Sequence, residues 1–494
     1  MSIKITDLPP EMIEQIFGHL QHHERLVVSC TCKAWRKLVF SPKFCKRLYL
    51  HLRSADDIVL KLRDGTVYEL CRNAVISCES IPDDHKSSLN NYLQNAPLES
   101  LNIVTAKATA KWILEHNLAQ MEMLETLHLD LRDCDGEMLR ISHQTLKNAT
   151  FKRMWTIEID CPNLSAINSH LSDEKCVDFI KSLRGQLQSL MLFSEVKQVY
   201  TALSDVEWDN LRELHMNIVP RGNDLEILLE RMPCLKKLVL HDNYTLPAIG
   251  KEFRAAKSLS ELVLIKVNIN AEFNKSLERL TLLESLMLIN IIFTHGKEQC
   301  LKSSSIKRLT LCHRLRNPLP QFPNLKILNL QCEEFELCDI LKDLCIYYPK
   351  LEQLSFGVAP GEIGVLQTES GYRETKSLSH LKKMEFLKTV QLNRIATELL
   401  DWSTCNDNRI ESLRLDGCSI DGKTAQQLVQ VFKQLRQLFL DHCYLRQPRT
   451  DVFELDENCT YGLRSQLPGC TISYYDCHIE ELHDACGGGG KDVI

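Results

Sequence analysis

The feature that most constrains the fold is a six-residue pattern, L-x-x-L-x-L, that recurs along most of the chain. Clear copies, some with another apolar residue at one leucine position, span 98–103, 124–129, 187–192, 211–216, 235–240, 259–264, 283–288, 306–311, 325–330, 351–356, 387–392, 410–415 and 435–440. The five copies from 187 to 283 begin 24 residues apart. A helix that is merely rich in leucine would not keep this register, so the chain is built from a repeated structural unit.

The pattern and its period together predict the unit. Leu-x-Leu places two side chains on one face of a β-strand, because strand side chains alternate between faces. The segments between copies show helical spacing of apolar residues, as in 224–231 and 337–348. A strand, a turn, a helix and a return in about 24 residues is the leucine-rich repeat. We therefore expect an α/β fold, a leucine-rich-repeat solenoid (horseshoe) with a parallel sheet on its concave face and helices on its convex face.

The spacing of the copies is not uniform. Segment 154–159 is a weaker copy, and gaps of 30 and 33 residues lie before 154 and 187. A gap of 36 residues lies before 387 and contains the loop 357–386. Extra residues in a solenoid enter loops, often on the binding face. The sequence leaves open whether this loop is functional or merely tolerated.

The repeats define the predicted domains. About 14 repeats cover 98–475, and the stretch 46–97 is interpreted as a linker with degenerate repeats that cap the hydrophobic core. Residues 476–494 are acidic, contain four consecutive glycines and are predicted to form a flexible tail. Residues 1–45 precede the repeats as a separate region.

Charge and hydropathy exclude several classes of function. The longest apolar-leaning stretch, 282–293, has 12 residues and contains Glu284 and Asn290, whereas a membrane-spanning helix needs about 20 residues. The net charge is −6 without a basic stripe, which argues against nucleic acid as a partner. No signal peptide is recognisable at the N-terminus. The 21 cysteines are then expected to be reduced thiols of a cytoplasmic or nuclear protein.

No constellation for catalysis or cofactor binding was found. Phosphate-loop, zinc-protease, nucleophile-elbow, calcium-loop and dinucleotide motifs are absent from the sequence. Cys477, His478, His483 and Cys486 fit no standard zinc spacing. Cys418 and Cys443 follow strand patterns and are expected to bond backbone groups where the chain leaves the sheet. We therefore expect a non-catalytic protein without metal or cofactor.

The first 50 residues predict three short helices. Pro9 and Pro10 suit the start of a helix, where a missing N–H has no consequence. In 10–20 the apolar residues Met12, Ile13, Ile16, Phe17 and Leu20 form one stripe. Two further apolar groups follow, at 26–28 and 35–39. So small a region has many large apolar residues, which suggests that some of them face a partner.

Three short motifs follow one another within residues 8–38: Leu8-Pro9-x-Glu11, Ile16-Phe17-x-x-Leu20 and Cys32-Lys33-x-Trp35-x-x-Leu38. In this order and spacing they resemble an F-box. Thr31 departs from the pattern, which usually has an aliphatic residue there. An F-box followed by leucine-rich repeats is similar to the F-box proteins that serve as substrate receptors of SCF (Skp–cullin–F-box) ubiquitin ligases.

The resemblance implies partners and positions. The F-box would bind a Skp-type adaptor, and through it a cullin and a RING subunit, while the repeats hold a protein target for ubiquitination and degradation. The adaptor-facing residues carried over by position are Leu8, Pro9, Ile16, Phe17, Leu20 and Trp35. The alternative for these residues is the internal core of a three-helix unit. For the whole chain, the alternative is an interaction scaffold that acts outside any cullin ligase.

The repeat register predicts a site for the target. Residues between and after the two inner leucines face the concave surface, where most leucine-rich strands carry polar side chains. Here five apolar residues fall on adjacent strands: Val239, Val263, Ile265, Met287 and Ile289. With strands about 4.8 Å apart they should form one exposed patch, and such patches mark interaction sites. The alternative is that the loop 357–386 or the acidic tail covers the patch.

Overall fold

The structure is a computed structural model with two compact units, Met1–Leu235 and Lys236–Ile494. It describes residues 8–20, 22–39, 41, 44, 49–63, 71–131, 138–154, 157–171, 177–194, 196–217, 219–220, 223–242, 248–294, 300–312, 319–331, 337–357, 376–395, 397, 400–405, 409–446, 470–475 and 478–480. No helix in this described part is long and apolar enough to cross a membrane.

Three helices open the first unit: α1 (Pro10–His19), α2 (His22–Ser29) and α3 (Lys33–Val39). Pro10 occupies the first turn of α1, where a backbone N–H would have no partner within the helix. The extended backbone of Leu20 ends this helix. The Cys32 thiol caps α3 by accepting a hydrogen bond from the Trp35 N–H at 3.4 Å. The three short helices predicted from the sequence are confirmed.

Ten strands follow in the first unit. They are β1 (Tyr49–Leu52), β2 (Asn73–Ile76), β3 (Ser100–Thr105), β4 (Thr126–Leu131), β5 (Leu139–Ser142), β6 (Asn148–Met154), β7 (Ile157–Asp160), β8 (Ala166–Leu171), β9 (Ser189–Ser194) and β10 (Glu213–Met216). Eight form one parallel sheet in the order β1-β2-β3-β4-β6-β8-β9-β10, and β5 pairs only with β7. Between strands run the helices Ala55–Arg63, Asp83–Asn95, Lys107–Asn117, Val177–Ser182 and Lys197–Leu203 and the 3-10 helix Leu118–Gln120, and Asp224–Glu230 follows β10.

The irregular stretch before residue 187 contains two repeats that the leucine pattern missed. The weaker copy 154–159 was predicted as a repeat strand, and this is wrong: β7 lies in the small sheet with β5. The sheet strands here are β6 and β8, whose inner positions carry Ala149 and Phe151, and Ile167 and Ser169. These residues fill the core positions without leucine, so the gaps of 30 and 33 residues each contain a hidden repeat.

The second unit has seventeen strands among its described residues. They are β11 (Lys237–His241), β12 (Glu261–Ile265), β13 (Asn268–Ile269), β14 (Ser285–Ile289), β15 (Ile292–Phe293), β16 (Arg308–Cys312), β17 (Ile327–Gln331), β18 (Gln353–Gly357), β19 (Lys376–Ser377), β20 (Thr389–Asn393), β21 (Leu400–Asp401), β22 (Ser412–Asp416), β23 (Ser419–Asp421), β24 (Gln437–Asp441), β25 (Tyr444–Arg446), β26 (Thr471–Tyr475) and β27 (His478–Glu480). The helices are Glu272–Arg279, Leu337–Tyr347 and Gly422–Val431, with 3-10 helices at Lys251–Ala255, Ser379–Lys383 and Trp402–Cys405.

Ten strands of the second unit form a parallel sheet in unbroken register. Their order is β11-β12-β14-β16-β17-β18-β20-β22-β24-β26. Leu238, Leu262 and Leu286 align across three neighbouring strands, and each is at most 1% exposed. Because each repeat buries its leucines against the next, the core is continuous along the stack. The predicted leucine-rich-repeat fold is confirmed within each unit.

The described turns after β12, β14 and β20 are held by hydrogen bonds between neighbouring repeats. Lys266, Asn290 and Arg394 have φ between +50° and +56°, and each of their N–H groups reaches a carbonyl of the following strand at 2.7–2.8 Å. The Cys418 and Cys443 thiols donate to the carbonyls of Leu392 (3.4 Å) and Leu415 (3.3 Å), as predicted for these two cysteines. Burial raises the pKa of Cys418 to about 12, so this thiol stays protonated.

The loop 357–386 and the predicted tail are each described only in part. Within the loop 357–386, residues 358–375 lie outside the described part of the chain, whereas β19 and a 3-10 helix occupy 376–383. The tail was predicted to begin at 476, but His478–Glu480 is a strand that pairs in parallel with β25. It continues the small sheet β23-β25-β27, in which each strand follows a strand of the main sheet. The predicted tail therefore begins too early, and residues 481–494 lie outside the described part.

Candidate functional site

The N-terminal helices are held together by a small apolar core. Four of its residues are buried, Ile13, Phe17, Val39 and Phe44, and five partly buried residues pack against them, Leu8, Leu20, Val28, Trp35 and Leu38. The Trp35 ring meets the Phe17 ring edge-on, with centroids 5.5 Å apart. The Arg25 guanidinium lies over the Phe44 ring, 5.1 Å from its centroid. This core fixes the relative positions of α1 and α3.

The residues predicted to face an adaptor fall into three groups. Phe17 is only 1% exposed and belongs to the core, so it presents no surface to a partner in this structure. Leu8, Leu20 and Trp35 are half-buried against that core. Pro9 is exposed and Ile16 is 38% exposed, so these two are accessible.

Sequence reasoning missed one accessible residue of this group. Met12 is 49% exposed and lies four residues before Ile16 on α1. Positions i and i+4 are neighbours on a helix surface, so Met12 and Ile16 form one exposed apolar strip beside Pro9. We call Pro9, Met12 and Ile16 the α1 strip. Met12 belongs to the apolar stripe seen in the sequence. That stripe is so wide that some of its residues lie in the core and others on the surface, and the sequence alone does not separate the two groups.

The strand registers bring the five predicted target-facing residues together. Val239, Val263 and Met287 are direct partners on β11, β12 and β14, and Ile265 and Ile289 are partners two residues further along, on the same face of the sheet. We call these five residues the apolar patch. Val263 is 7% exposed, while the other four are partly exposed. The expectation that all five would be exposed is wrong for Val263, which is flanked by Val239 on one side and Met287 on the other.

A polar depression of about 470 Å³ continues from the apolar patch along the same face of the sheet. We call this face, which points away from the buried leucines, the outer face. Its polar lining includes Thr310, Asn329, Gln331, Gln353, Ser355, Thr389, Gln391, Asn393, Arg394 and Asp416. Two hydrogen bonds cross it: Gln391 Nε2 donates to Asn393 Oδ1 (2.8 Å), and Asn393 Nδ2 donates to Ser355 Oγ (3.0 Å). The sequence showed polar residues at these outer positions but not that strands β16 to β22 join them in one depression.

Each of two acidic side chains at the far rim of the depression lies close to an arginine or a histidine side chain. The Arg414 guanidinium lies 2.6 Å from an Asp441 carboxylate oxygen, and His442 Nδ1 lies 3.6 Å from Asp416 Oδ1. The rim therefore contributes polar groups without a strong excess of either sign. A group of three or more histidine, cysteine or acidic side chains suited to a metal ion does not occur among the residues described above.

The F-box-like family matches residues 5–51 of this chain. This match includes α1, α2, α3 and the residues of the α1 strip. Residues 5–51 form an F-box-like domain. The match extends six residues beyond the boundary predicted at 45, into β1. The chain thus combines an F-box-like domain with stacked leucine-rich repeats.

Comparison with solved structures finds similarities at low identity. An internalin (inlF) of Listeria monocytogenes is 13% identical, with a TM-score of 0.26, over 85% of this chain and 93% of that one. A leucine-rich-repeat protein of Leptospira interrogans is 15% identical, with a TM-score of 0.29, over 87% and 91%. No curated protein matches the sequence. The assignment of the repeat fold rests on the strand registers and buried leucines of the two units.

Proposed function

We propose that this chain is the substrate-recognition subunit of an SCF-type ubiquitin ligase. The observation that carries the proposal is the F-box-like domain at 5–51 with an exposed apolar strip on α1, followed by repeats whose outer face presents an apolar patch. F-box domains generally bind Skp-type adaptors. Through the adaptor the chain would join a cullin and a RING subunit, and its repeats would hold a protein target.

In this role the chain performs no bond chemistry. Its contribution is effective concentration, because a target lysine held near the thioester of the conjugating enzyme reacts in a nearly intramolecular step. Stacked repeats suit this role because each repeat is fixed by its neighbours, so the stack presents a preformed surface. Burial raises the pKa of Cys161 to about 11 and that of Cys405 to about 12, so these two thiols stay protonated and are poor nucleophiles.

The α1 strip is the proposed contact with the adaptor. Pro9, Met12 and Ile16 are accessible, whereas Phe17 lies beneath them and holds α1 against α3. Leu8 packs partly into the core, so its truncation would also loosen the domain. A test of adaptor binding is therefore cleaner at Ile16 than at Leu8 or Phe17.

The test is co-purification of the full chain with Skp adaptor, cullin and RING subunits. A charge in a desolvated apolar contact is strongly unfavourable, so Ile16→Glu should reduce adaptor capture by at least about tenfold while the chain stays folded. The matched control is Leu60→Glu, since Leu60 is 70% exposed on a helix outside the F-box-like domain. Undiminished capture by Ile16→Glu would contradict the proposed contact, and capture of adaptor without cullin would favour a scaffold outside the ligase.

A further inference from the structure

The outer face of the second unit is divided into two zones. From β11 to β14 it carries the apolar patch, and from β16 to β22 it carries the polar depression. The zones are continuous, because Met287 on β14 is the direct partner of Thr310 on β16, and Thr310 lines the depression. A ligand that covers both must be apolar at one end and polar at the other.

The described residues that line the depression carry no net formal charge. Its lining contains one cation, Arg394, and one anion, Asp416, so their formal charges cancel. Arg414 at the rim is paired with Asp441 at 2.6 Å. Recognition of a phosphorylated residue relies on clustered arginines that form charge-assisted hydrogen bonds. This face offers no such cluster among its described residues.

Amide side chains give the depression a different capability. Each amide presents an oxygen acceptor and two N–H donors, which match the carbonyl and N–H groups of a peptide backbone. Gln391 donates one N–H of its side-chain NH2 group to Asn393, and Asn393 donates one to Ser355. Each of these two NH2 groups has a second N–H donor. Asn329 and Gln331 on β17 add two more amides to the lining. Such a surface binds backbone and uncharged polar side chains.

We propose, as an extension of the proposed function, that this face binds an extended and unphosphorylated segment of the target. Its apolar side chains would rest on the apolar patch, and its following, uncharged polar residues would lie in the depression. The eight strands from β11 to β22 span roughly 34 Å at their ordinary spacing of about 4.8 Å, which an extended chain crosses with about ten residues. An uncharged peptide segment would match a surface whose described residues carry no net charge.

The experiment selects phage-displayed random 12-residue peptides on the immobilised full chain. These peptides carry no phosphate, and the assay needs no adaptor, so its result is independent of whether the F-box-like domain enters a ligase. The expected peptides have three or four apolar residues at one end and uncharged polar residues after them. Enrichment of acidic peptides would overturn the proposal.

Synthetic copies of an enriched peptide then locate the site by fluorescence anisotropy. Met287→Glu should weaken binding by at least about tenfold, and Gln391→Ala by about threefold, because the first removes an apolar contact and the second one amide. The matched control is Met191→Glu, because Met191 has the same local sequence, Ser-Leu-Met-Leu, on β9 of the first unit.

Three results of the binding measurements would also overturn the proposal. The first is binding that Met287→Glu leaves unchanged in a folded chain, as expected if another segment of this protein covers the patch. The second is equal loss in Met191→Glu and Met287→Glu, which would indicate a non-specific effect of the added charge. The third is tighter binding of the peptide when a serine in its polar half is phosphorylated.

Discussion

The two strand stacks reach the same parallel register from different residues. In the second unit, β11, β12 and β14 repeat at 24-residue intervals, and both inner positions of each strand are leucine. In the first unit, β6 and β8 place Ala149, Phe151, Ile167 and Ser169 at the same positions, all of them at most 2% exposed. The hydrogen bonds between parallel strands fix the position of each inner side chain. Packing then requires only that the inner side chains of neighbouring repeats together fill the core.

The largest expected effect tests whether Phe151 replaces leucine in this role. Phe151 is fully buried and packs edge-on against Phe179, with ring centroids 6.3 Å apart. Phe151→Ala should lower the free energy of unfolding of the first unit by about 3–5 kcal/mol, because it removes a large buried ring and leaves a cavity. Hydrogen exchange by mass spectrometry would report the loss of protection in β4, β6 and β8.

Two variants sharpen the comparison. Leu288→Ala removes the corresponding inner residue of β14, and its expected loss of about 2–5 kcal/mol should appear in the second unit. Phe151→Leu should lose less than Phe151→Ala, since leucine refills most of the volume. Unchanged protection of β4, β6 and β8 in Phe151→Ala would mean that the first unit does not depend on filled inner positions.

The same contrast explains how far the sequence predicts the fold. The regular leucine pattern identified the repeat class and the strand positions of the second unit, because leucine stands there at nearly every inner position. It failed at β6 and β8, where alanine, phenylalanine, isoleucine and serine occupy equivalent places. The core requires side chains that fill it, whichever residue types they come from. A search for leucine therefore detects a repeat only where leucine fills the inner positions.

The candidate sites were predictable to different degrees. Strand alternation was sufficient to bring the apolar patch together, because register follows directly from the repeat. It could not foresee that Val263 is shielded by its neighbours, since exposure depends on side chains of adjacent strands. On α1 the motif could not separate buried Phe17 from exposed Met12, because both lie within one broad apolar stripe.

A smaller effect is expected from glycines that differ in their surroundings. A Cβ at Gly357, at the end of β18, would clash with the main-chain oxygen of Asn393 on the adjacent strand. Gly357→Ala should therefore cost about 1–3 kcal/mol, as overpacking of a close contact does. In the first unit, a Cβ at Gly185 would meet nothing within 4 Å, so Gly185→Ala is the control. Denaturant unfolding that gives equal midpoints for the two variants would contradict the close approach of β18 and β20.

The smallest expected effect is a pH dependence from the first unit. His143 is 4% exposed, its Nε2 lies 3.0 Å from the Met121 carbonyl oxygen, and burial lowers its pKa below the ordinary value. Among the histidines whose side-chain burial the structure describes, it is the only buried one. The unfolded chain binds a proton at this residue at higher pH than the folded chain, so the contribution of His143 to stability is complete above about pH 6.5 and is lost as pH falls through the folded pKa.

The variant His143→Gln tests this contribution. Its thermal midpoint should drop less between pH 7.5 and 5.5 than that of the unmodified protein. His128 and His170 of the first unit and His380 of the second also have lowered pKa values and act in the same direction, so a reduced slope, rather than a flat one, is expected. The surface control is His116→Gln. If the thermal midpoint changes equally with pH in His143→Gln, in this control and in the unmodified protein, the buried histidine of the first unit makes no measurable contribution to the pH dependence.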